Sequence, residues 1–343
     1  MLRISPVLRA GCGLLFLMHV APAAARVLTL TKQSDATAIV QDATDGDTAA
    51  NSLVSPQDRL FIEGGALAAD VAHDLIYAAS LPDPAGAAAG TAHVLLVGAY
   101  GSSPIPSGSM AAPAGLYFSA LAFDAPSSSV VGIVSDRTGA TPSQVFAVPT
   151  NGGTAFGVPG YMAAAPGCCS LTRGVAAWRT STRELFAVGR NAGDSEDQLL
   201  RFDVGTGSAL PDAYPIAGDR VVALAVDAQD GTLYALARST LAFTYLTRIT
   251  YTTPGTPVTL SAIGSAPAAC CYVAAGPATI DGAGSARALY ALTLDAAAPA
   301  GMQLTRFDFT SGNPVIVNAA IEGYGLWTDA AASLDRIFAD GFD

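Results

Sequence analysis

One short unit recurs six times along this chain, and it restricts the fold more than any other feature. The unit is small-apolar-small-apolar-Asp, then a turn, then apolar-aromatic-Ala. Its clearest copy is Ala223-Leu224-Ala225-Val226-Asp227, a turn at Gln229-Asp230-Gly231, and Leu233-Tyr234-Ala235-Leu236. Other copies end their first half at Asp70, Asp124, Asp281 and Asp329, with Arg179 in the acid's place in the third copy. Their second halves include Ile76-Tyr77-Ala78, Val130-Val131-Gly132, Leu185-Phe186-Ala187, Leu289-Tyr290-Ala291 and Ile337-Phe338-Ala339. Short β-branched and aromatic runs between Gly, Pro, Asp and Ser clusters predict strands and turns, and no long stretch keeps a 3.6-residue apolar period.

The six anchor positions are 48 to 55 residues apart, enough for a four-stranded unit. Third strands of related form follow several hairpins, as in Gln198–Asp203 and Gln303–Asp308. Turns at Thr206-Gly207 and Ser311-Gly312 then lead to fourth strands. The expectation is an all-β fold, a β-propeller of six four-stranded blades in one domain over 26–333. The sixth copy reaches the C-terminus after two strands, so the segment from Arg26, with Val27-Leu28-Thr29-Leu30, is expected to supply its missing outer strands. Closing the ring in this way removes unpaired edges. The irregular stretch from Leu81 to Gly115 reads as a second-blade hairpin around His93–Tyr100 with long loops.

Residues 1–25 read as a secretory signal: Arg3 and Arg9, a short apolar stretch from Gly11 to Val20, and Ala23-Ala24-Ala25 before Arg26. Cys12 precedes the apolar stretch, which argues against a lipoprotein. No other segment is apolar for long enough to span a membrane as a helix. The chain carries a net charge of −11, and losing the signal removes two arginines and no acid. Such a balance favours solubility and argues against nucleic acid or an anionic membrane as a partner. The near-absence of lysine, with Lys32 alone, and the excess of Ala and Gly fit a GC-rich bacterial genome. The expected location is outside the cytoplasm of a bacterium, in the periplasm, at the cell surface or in the medium.

The Gly-apolar-Ala-x-Asp, turn, Leu-Tyr-Ala pattern resembles the NHL and YVTN groups of propeller repeats, and more distantly the gluconolactonase-like group. That resemblance implies a fold and no particular chemistry. The ending Asp335-Arg336-Ile337-Phe338-Ala339-Asp340-Gly341-Phe342-Asp343 is similar to one shared by many secreted gammaproteobacterial proteins. Residues 334–343 are therefore either a last-blade strand or a sorting-type tail.

The repeated aspartates suggest a ring of ligands. However, Asp at the start of a hairpin turn accepts hydrogen bonds from amides one or two residues on, and that structural role is the expectation. Cys168-Cys169 and Cys270-Cys271 precede their anchors by similar distances, so they fall in equivalent loops of blades three and five. Export favours oxidation, and four cysteines allow three connectivities. Blades separated by one other lie about 20 Å apart, beyond the ~7 Å a bridge between loops tolerates unless both loops fold across the axis. Two vicinal disulfides are the expectation, as loop staples, a ligand platform or a redox device. Their spacing is unlike a tetrahedral zinc motif.

Glu63 and Glu322 each lie seven residues before their anchors, in the first and last blades, which adjoin once the ring closes. Arg220 holds the same count in blade four, with Asp219 beside it. Two acids at a channel mouth suit a cation or a polyhydroxyl ligand, and equally suit a solvated rim. Phe61-Ile62-Glu63-Gly64-Gly65 is similar to the Glu-Gly-Pro start of the gluconolactonase-like group, with Gly65 in the proline's place. The resemblance implies a divalent cation with Glu63 as one ligand. Its Asn and Asp partners are missing, since the same count holds Tyr117, Thr172, Arg220 and Ala274.

No Gly-x-Ser-x-Gly elbow, His-Glu-x-x-His or phosphate loop is present. His73 falls in a predicted turn and His93 at a strand start, neither paired with a nucleophile. Asp42, Asp45 and Asp47 depart from EF-hand spacing and read as an exposed acidic turn. The functional expectation is an exported binding or interaction protein for a small molecule, glycan or protein. Its site would comprise Glu63, Asp219, Arg220 and Glu322, with no catalytic residues. The alternatives are a metal-dependent hydrolase or lactonase and a surface-attached structural component.

Overall fold

A computed structural model describes residues between Val27 and Ala330, apart from 35–36, 43–50, 55–60, 71–72, 74, 82–89, 98–104, 113, 137–142, 151–155, 158–169, 191–195, 207–210, 240–243, 265–275, 277, 282–286, 295–301 and 322–327. It is a β-propeller of six four-stranded antiparallel sheets. In blades 1 to 5 the innermost strand carries the repeat's first half, and its hairpin partner carries the second.

Blade 6 closes the ring from both chain ends, with β1 (Leu28–Ser34), β2 (Thr37–Asp42) and β3 (Asn51–Val54). Blade 1 holds β4 (Phe61–Asp70), β5 (Leu75–Leu81), β6 (Gly90–Val97) and β7 (Ile105–Ala112). Blade 2 holds β8 (Leu116–Asp124), β9 (Ser129–Asp136), β10 (Gln144–Pro149) and β11 (Phe156–Gly157). Blade 3 runs through β12 (Ser170–Arg179), β13 (Glu184–Arg190), β14 (Asp197–Asp203) and β15 (Asp212–Ile216). Blade 4 comprises β16 (Arg220–Val226), β17 (Leu233–Arg238), β18 (Thr244–Thr250) and β19 (Thr259–Ala262). Blade 5 comprises β20 (Ala278–Asp281), β21 (Ala288–Leu294), β22 (Met302–Asp308) and β23 (Pro314–Ile321). The last strand, β24 (Thr328–Ala330), is the innermost strand of blade 6 and pairs with β1 through Leu30 and Asp329.

Two expectations need correcting. Among the described residues, the C-terminal part contributes one strand to the closing blade, not two. The second-strand place beside β24 belongs to β1, and the N-terminal segment supplies three strands. Ile337-Phe338-Ala339 lies outside the described residues. The stretch from Leu81 to Gly115 belongs to blade 1, whose third and fourth strands it forms, and His93 lies inside β6 rather than at its start.

The core lies between the sheets. Tyr77 and Phe118 pack with Phe146 between blades 1 and 2, Leu185 and Phe202 between blades 2 and 3, and Phe186, Tyr214 and Leu224 between blades 3 and 4. Val27, fully buried just before β1, packs on Leu292 and Leu304 of blade 5 and joins blade 6 to it. The small residues of the motif let these faces approach, while its aromatic reaches the next blade. Tyr77 stacks on Phe123 at 5.6 Å, Phe186 lies 5.7 Å from Tyr251, and Tyr234 meets Phe309 edge-on at 4.5 Å. Such ring pairs add about 0.5–1.5 kcal/mol each beyond area burial.

Blades 4 and 5 also meet through two glycines. Gly264 (φ 74°) and Gly312 (φ 70°) adopt left-handed backbone. A Cβ on Gly264 would overlap the Ser311 carbonyl, and one on Gly312 the Ile263 carbonyl. Only glycine fits either place.

Two of the anchor acids, Asp124 and Asp227, are held by structural partners. Asp227 accepts the Gln229 amide at 2.9 Å within its own turn. It also forms an ion pair at 2.7 Å with Arg287 of the next blade. Fully buried Asp124 is clamped in the same way by Arg183, with Nη2 to Oδ2 at 2.6 Å. Both arginines stand two residues before the apolar-aromatic-Ala run of the following blade, which opens at Leu185 and at Leu289. In blade 4 that place is Gly231, and the anchor facing it is Arg179, whose Nε would lie 3.6 Å from a Gly231 Cβ. Where the anchor is basic, the opposing side chain is removed. Arg179 turns instead to Glu184 of its own blade at 2.7 Å and the Tyr251 hydroxyl at 2.9 Å. Glu184 continues the ladder to Arg201 at 3.0 Å, and Arg201 is bonded to Asp212.

Candidate ligand-binding face

All innermost strands run the same way, so the propeller has one face where they begin, here the entry face, and one where they end. The Asp–Arg clamps occupy the second. The entry face is where the innermost strands depart from regular pairing.

In β4, Ile62 pairs with Ser80 and Leu67 with Ala78, leaving Glu63 to Ala66 opposite Ala79 alone. In β12, Leu171 pairs with Gly189 and Ala176 with Ala187, so four residues from Thr172 stand opposite Val188. Gly174, at φ 72°, accommodates the detour. Blades 2 and 4 carry one extra residue each, Ser119 and Val222. Bulges re-aim side chains where a strand passes a site. Among the described residues the wide ones fall in blades 1 and 3.

Register follows from these bulges, not from counting. Glu63 and Thr172 are level with each other, immediately past the pairs Ile62–Ser80 and Leu171–Gly189. Tyr117 and Arg220, at the same count from their anchors, are not level with them. They lie nearer the rim, opposite Ser135 and Arg238, where blade 1 has Phe61 opposite Leu81. Their blades lack two of the bulge residues, which shifts the count. Tyr117 donates its hydroxyl to the Leu171 carbonyl at 3.2 Å, joining blades 2 and 3.

Asp219 and Arg220 do lie together on the entry rim of blade 4. The Tyr245 hydroxyl donates to the Asp219 carboxylate. Burial and that negative charge both push the Tyr245 phenol above its ordinary value. Arg220 Nε lies 3.9 Å from Asp197 Oδ2 of blade 3, and Asp197 stands across the strands from Arg190. Tyr245 and Asp197 were not legible in the sequence, because their rim positions do not recur from blade to blade. Glu322 and the four cysteines Cys168, Cys169, Cys270 and Cys271 lie outside the described residues, and Asp124 and Asp227 take the structural role expected of the anchors.

The donor set for the divalent cation that the lactonase-like resemblance implies is not there among the described residues. The places level with Glu63 hold Ser119, Thr172 and Val222 instead of Asn or Asp, and Ser119 is hydrogen-bonded to Ser135 at 2.8 Å. Among the described residues, no three His, Cys, Asp or Glu side chains converge as a metal site.

No protein-family model matches the chain, and no curated protein matches it. Solved structures do. The chain is similar to TolB from Acinetobacter baumannii at TM-score 0.57 and 12% identity, covering 91% of this chain and 67% of that one. A TolB-like protein from Agrobacterium tumefaciens gives TM-score 0.51 and 11% identity, covering 91% and 94%. At these identities the likeness establishes the fold: this chain is a β-propeller.

Proposed function

We propose that the chain is an exported propeller that binds a small molecule, glycan or protein on its entry face and performs no chemistry on it. The observation that carries this reading is the pair of wide bulges. They put Glu63 and Thr172 at matching places in the innermost strands of blades 1 and 3. A bulge of four residues opposite one gives up ladder hydrogen bonds, a cost that a packing scaffold has no reason to bear twice in alternate blades. The rim group of Asp219, Arg220, Tyr245 and Asp197 adds polar hydrogen-bonding capacity beside it. The clamps consolidate the opposite face and leave the entry face to vary.

The test is a binding screen of the chain from Arg26 onward against a glycan array and a panel of small polar metabolites, read by thermal shift. Hits are then repeated with Glu63→Ala and Arg220→Ala, using Asp203→Ala on the opposite side as a control. A ligand lost in the first two and kept in the third supports the reading. Unchanged binding in both removes this face from consideration. Turnover of a bound lactone on adding calcium, zinc or manganese would replace the reading with the hydrolase alternative.

A further inference from the structure

Among the described residues, the large apolar side chains left in solvent are consecutive: Val315, Ile316 and Val317, exposed by 52%, 49% and 37%. All three lie in β23, the outermost strand of blade 5, whose outer edge has no pairing partner among the described residues. Val315 and Ile316, opposite Arg306 and Thr305, point to opposite faces of the strand, and Val317 stands in a bulge beside them, so exposure of all three marks a bare edge rather than one wet face. An apolar edge of this kind is a template for another segment.

The path of the chain indicates which segment. β23 begins at the face where the innermost strands end, and the exposed triplet occupies that half of it. β24 ends at the same face with Ala330, and its neighbours include β20 and β21 of the same blade 5. The edge of blade 5 lies three strand spacings out and one sheet across from β24, a path of roughly 20 Å. Seven residues of extended chain span about 23 Å. Counting from Ala330, the seventh residue is Ile337, which opens Ile337-Phe338-Ala339. This is the apolar run in 331–343 with the hydrophobicity to cover the triplet.

We propose that the C-terminal segment docks on the outer edge of blade 5, with Ile337 and Phe338 covering Val315, Ile316 and Val317. It would cap the one apolar edge the described fold leaves bare. This inference is independent of the entry-face reading.

The experiment places a photo-crosslinking benzoylphenylalanine at Phe338 in the chain from Arg26 onward, and maps the products by peptide mass. An equimolar mix of light and isotope-labelled protein separates links within a chain from links between chains. The expected result is an intrachain link to 314–321. A Phe338→Asp variant should also speed amide exchange of that peptide at least tenfold without moving exchange in β16. Links to another region, links between copies, or unchanged exchange in 314–321 would each overturn the proposal. Links between copies would identify a second molecule as the occupant.

Discussion

Arg183 crosses from blade 3 to blade 2 and holds the carboxylate of Asp124 through both Nε and Nη2, at 3.2 and 2.6 Å. Asp124 is fully buried, whereas Arg183 is about one-third exposed. The clamp therefore matters mainly because its acid has no access to water. Removing the cation leaves a buried charge uncompensated, which typically costs about 3–5 kcal/mol. Arg183→Met should lower stability by roughly the lower end of that range, measured by urea unfolding. Asp124→Asn in the same background should return a substantial part of it. Equal losses in the single and double variants would mean that the clamp does not act as a pair.

The third anchor reverses the polarity of this arrangement, and the reversal can be undone. Arg179→Asp places a second carboxylate beside buried Glu184 and should destabilise by about 2–4 kcal/mol. Adding Gly231→Arg rebuilds the Asp124–Arg183 pattern one blade on, in the left-handed backbone (φ 72°) that Arg183 itself adopts (φ 56°). Against a backbone cost of about 1 kcal/mol, the regained pair should still make the double variant unfold at a higher urea concentration than Arg179→Asp alone. No recovery would show that the anchor and the turn residue facing it are uncoupled.

The anchors were legible because the blades repeat one geometry, and in blades 1 to 5 each copy turns from its first strand into its second at the same height. The arginines that clamp Asp124 and Asp227 also carry a signal in the sequence. Arg183 and Arg287 each precede an apolar-aromatic-Ala run, in Glu184-Leu185-Phe186-Ala187 and Ala288-Leu289-Tyr290-Ala291. The bulges were not legible. A bulge adds residues without changing their type, so equal counts from Asp70 and Asp227 placed Glu63 and Arg220 on one level when they differ. The division of the closing blade was obscured similarly, since Ile337-Phe338-Ala339 copies the second-strand pattern while β1 takes that place.

Two glycines with similar backbone should respond differently to the same change. Gly255 has φ 85° with open space around it, whereas Gly264 has φ 74° against the Ser311 carbonyl. Gly255→Ala should cost about 1 kcal/mol, for the left-handed backbone alone. Gly264→Ala adds steric overlap and should cost about 3 kcal/mol or more. Equal costs in denaturant titrations would mean that blades 4 and 5 do not approach at that point.

Alkaline pH should unfold the protein through its tyrosines. Burial raises Tyr77, Tyr214, Tyr234, Tyr245 and Tyr290 above the ordinary value of 10.0. The native state thus holds protons that the unfolded chain releases near pH 10, so this stabilisation is complete below that pH and is lost as pH rises through the native values. Phenolate absorbance should lag behind that of free tyrosine and then rise together with loss of the β-sheet signal. Tyr245→Phe removes one such group and should shift the alkaline midpoint upward. Titration of every tyrosine near pH 10 with the fold intact would contradict the burial.

The central claim is a ring closed by both chain ends, and the pairing of Leu30 with Asp329 tests it most directly. Leu30→Cys with Asp329→Cys, oxidised and mapped by peptide mass, should give a link between those two positions and a higher melting temperature that falls on reduction. The control, Leu30→Cys with Asp281→Cys, should not link. The account predicts that bond. Free thiols at 30 and 329 in folded protein, or a link formed as readily to 281, would show that β1 does not lie beside β24 and that the ring is not closed in this way.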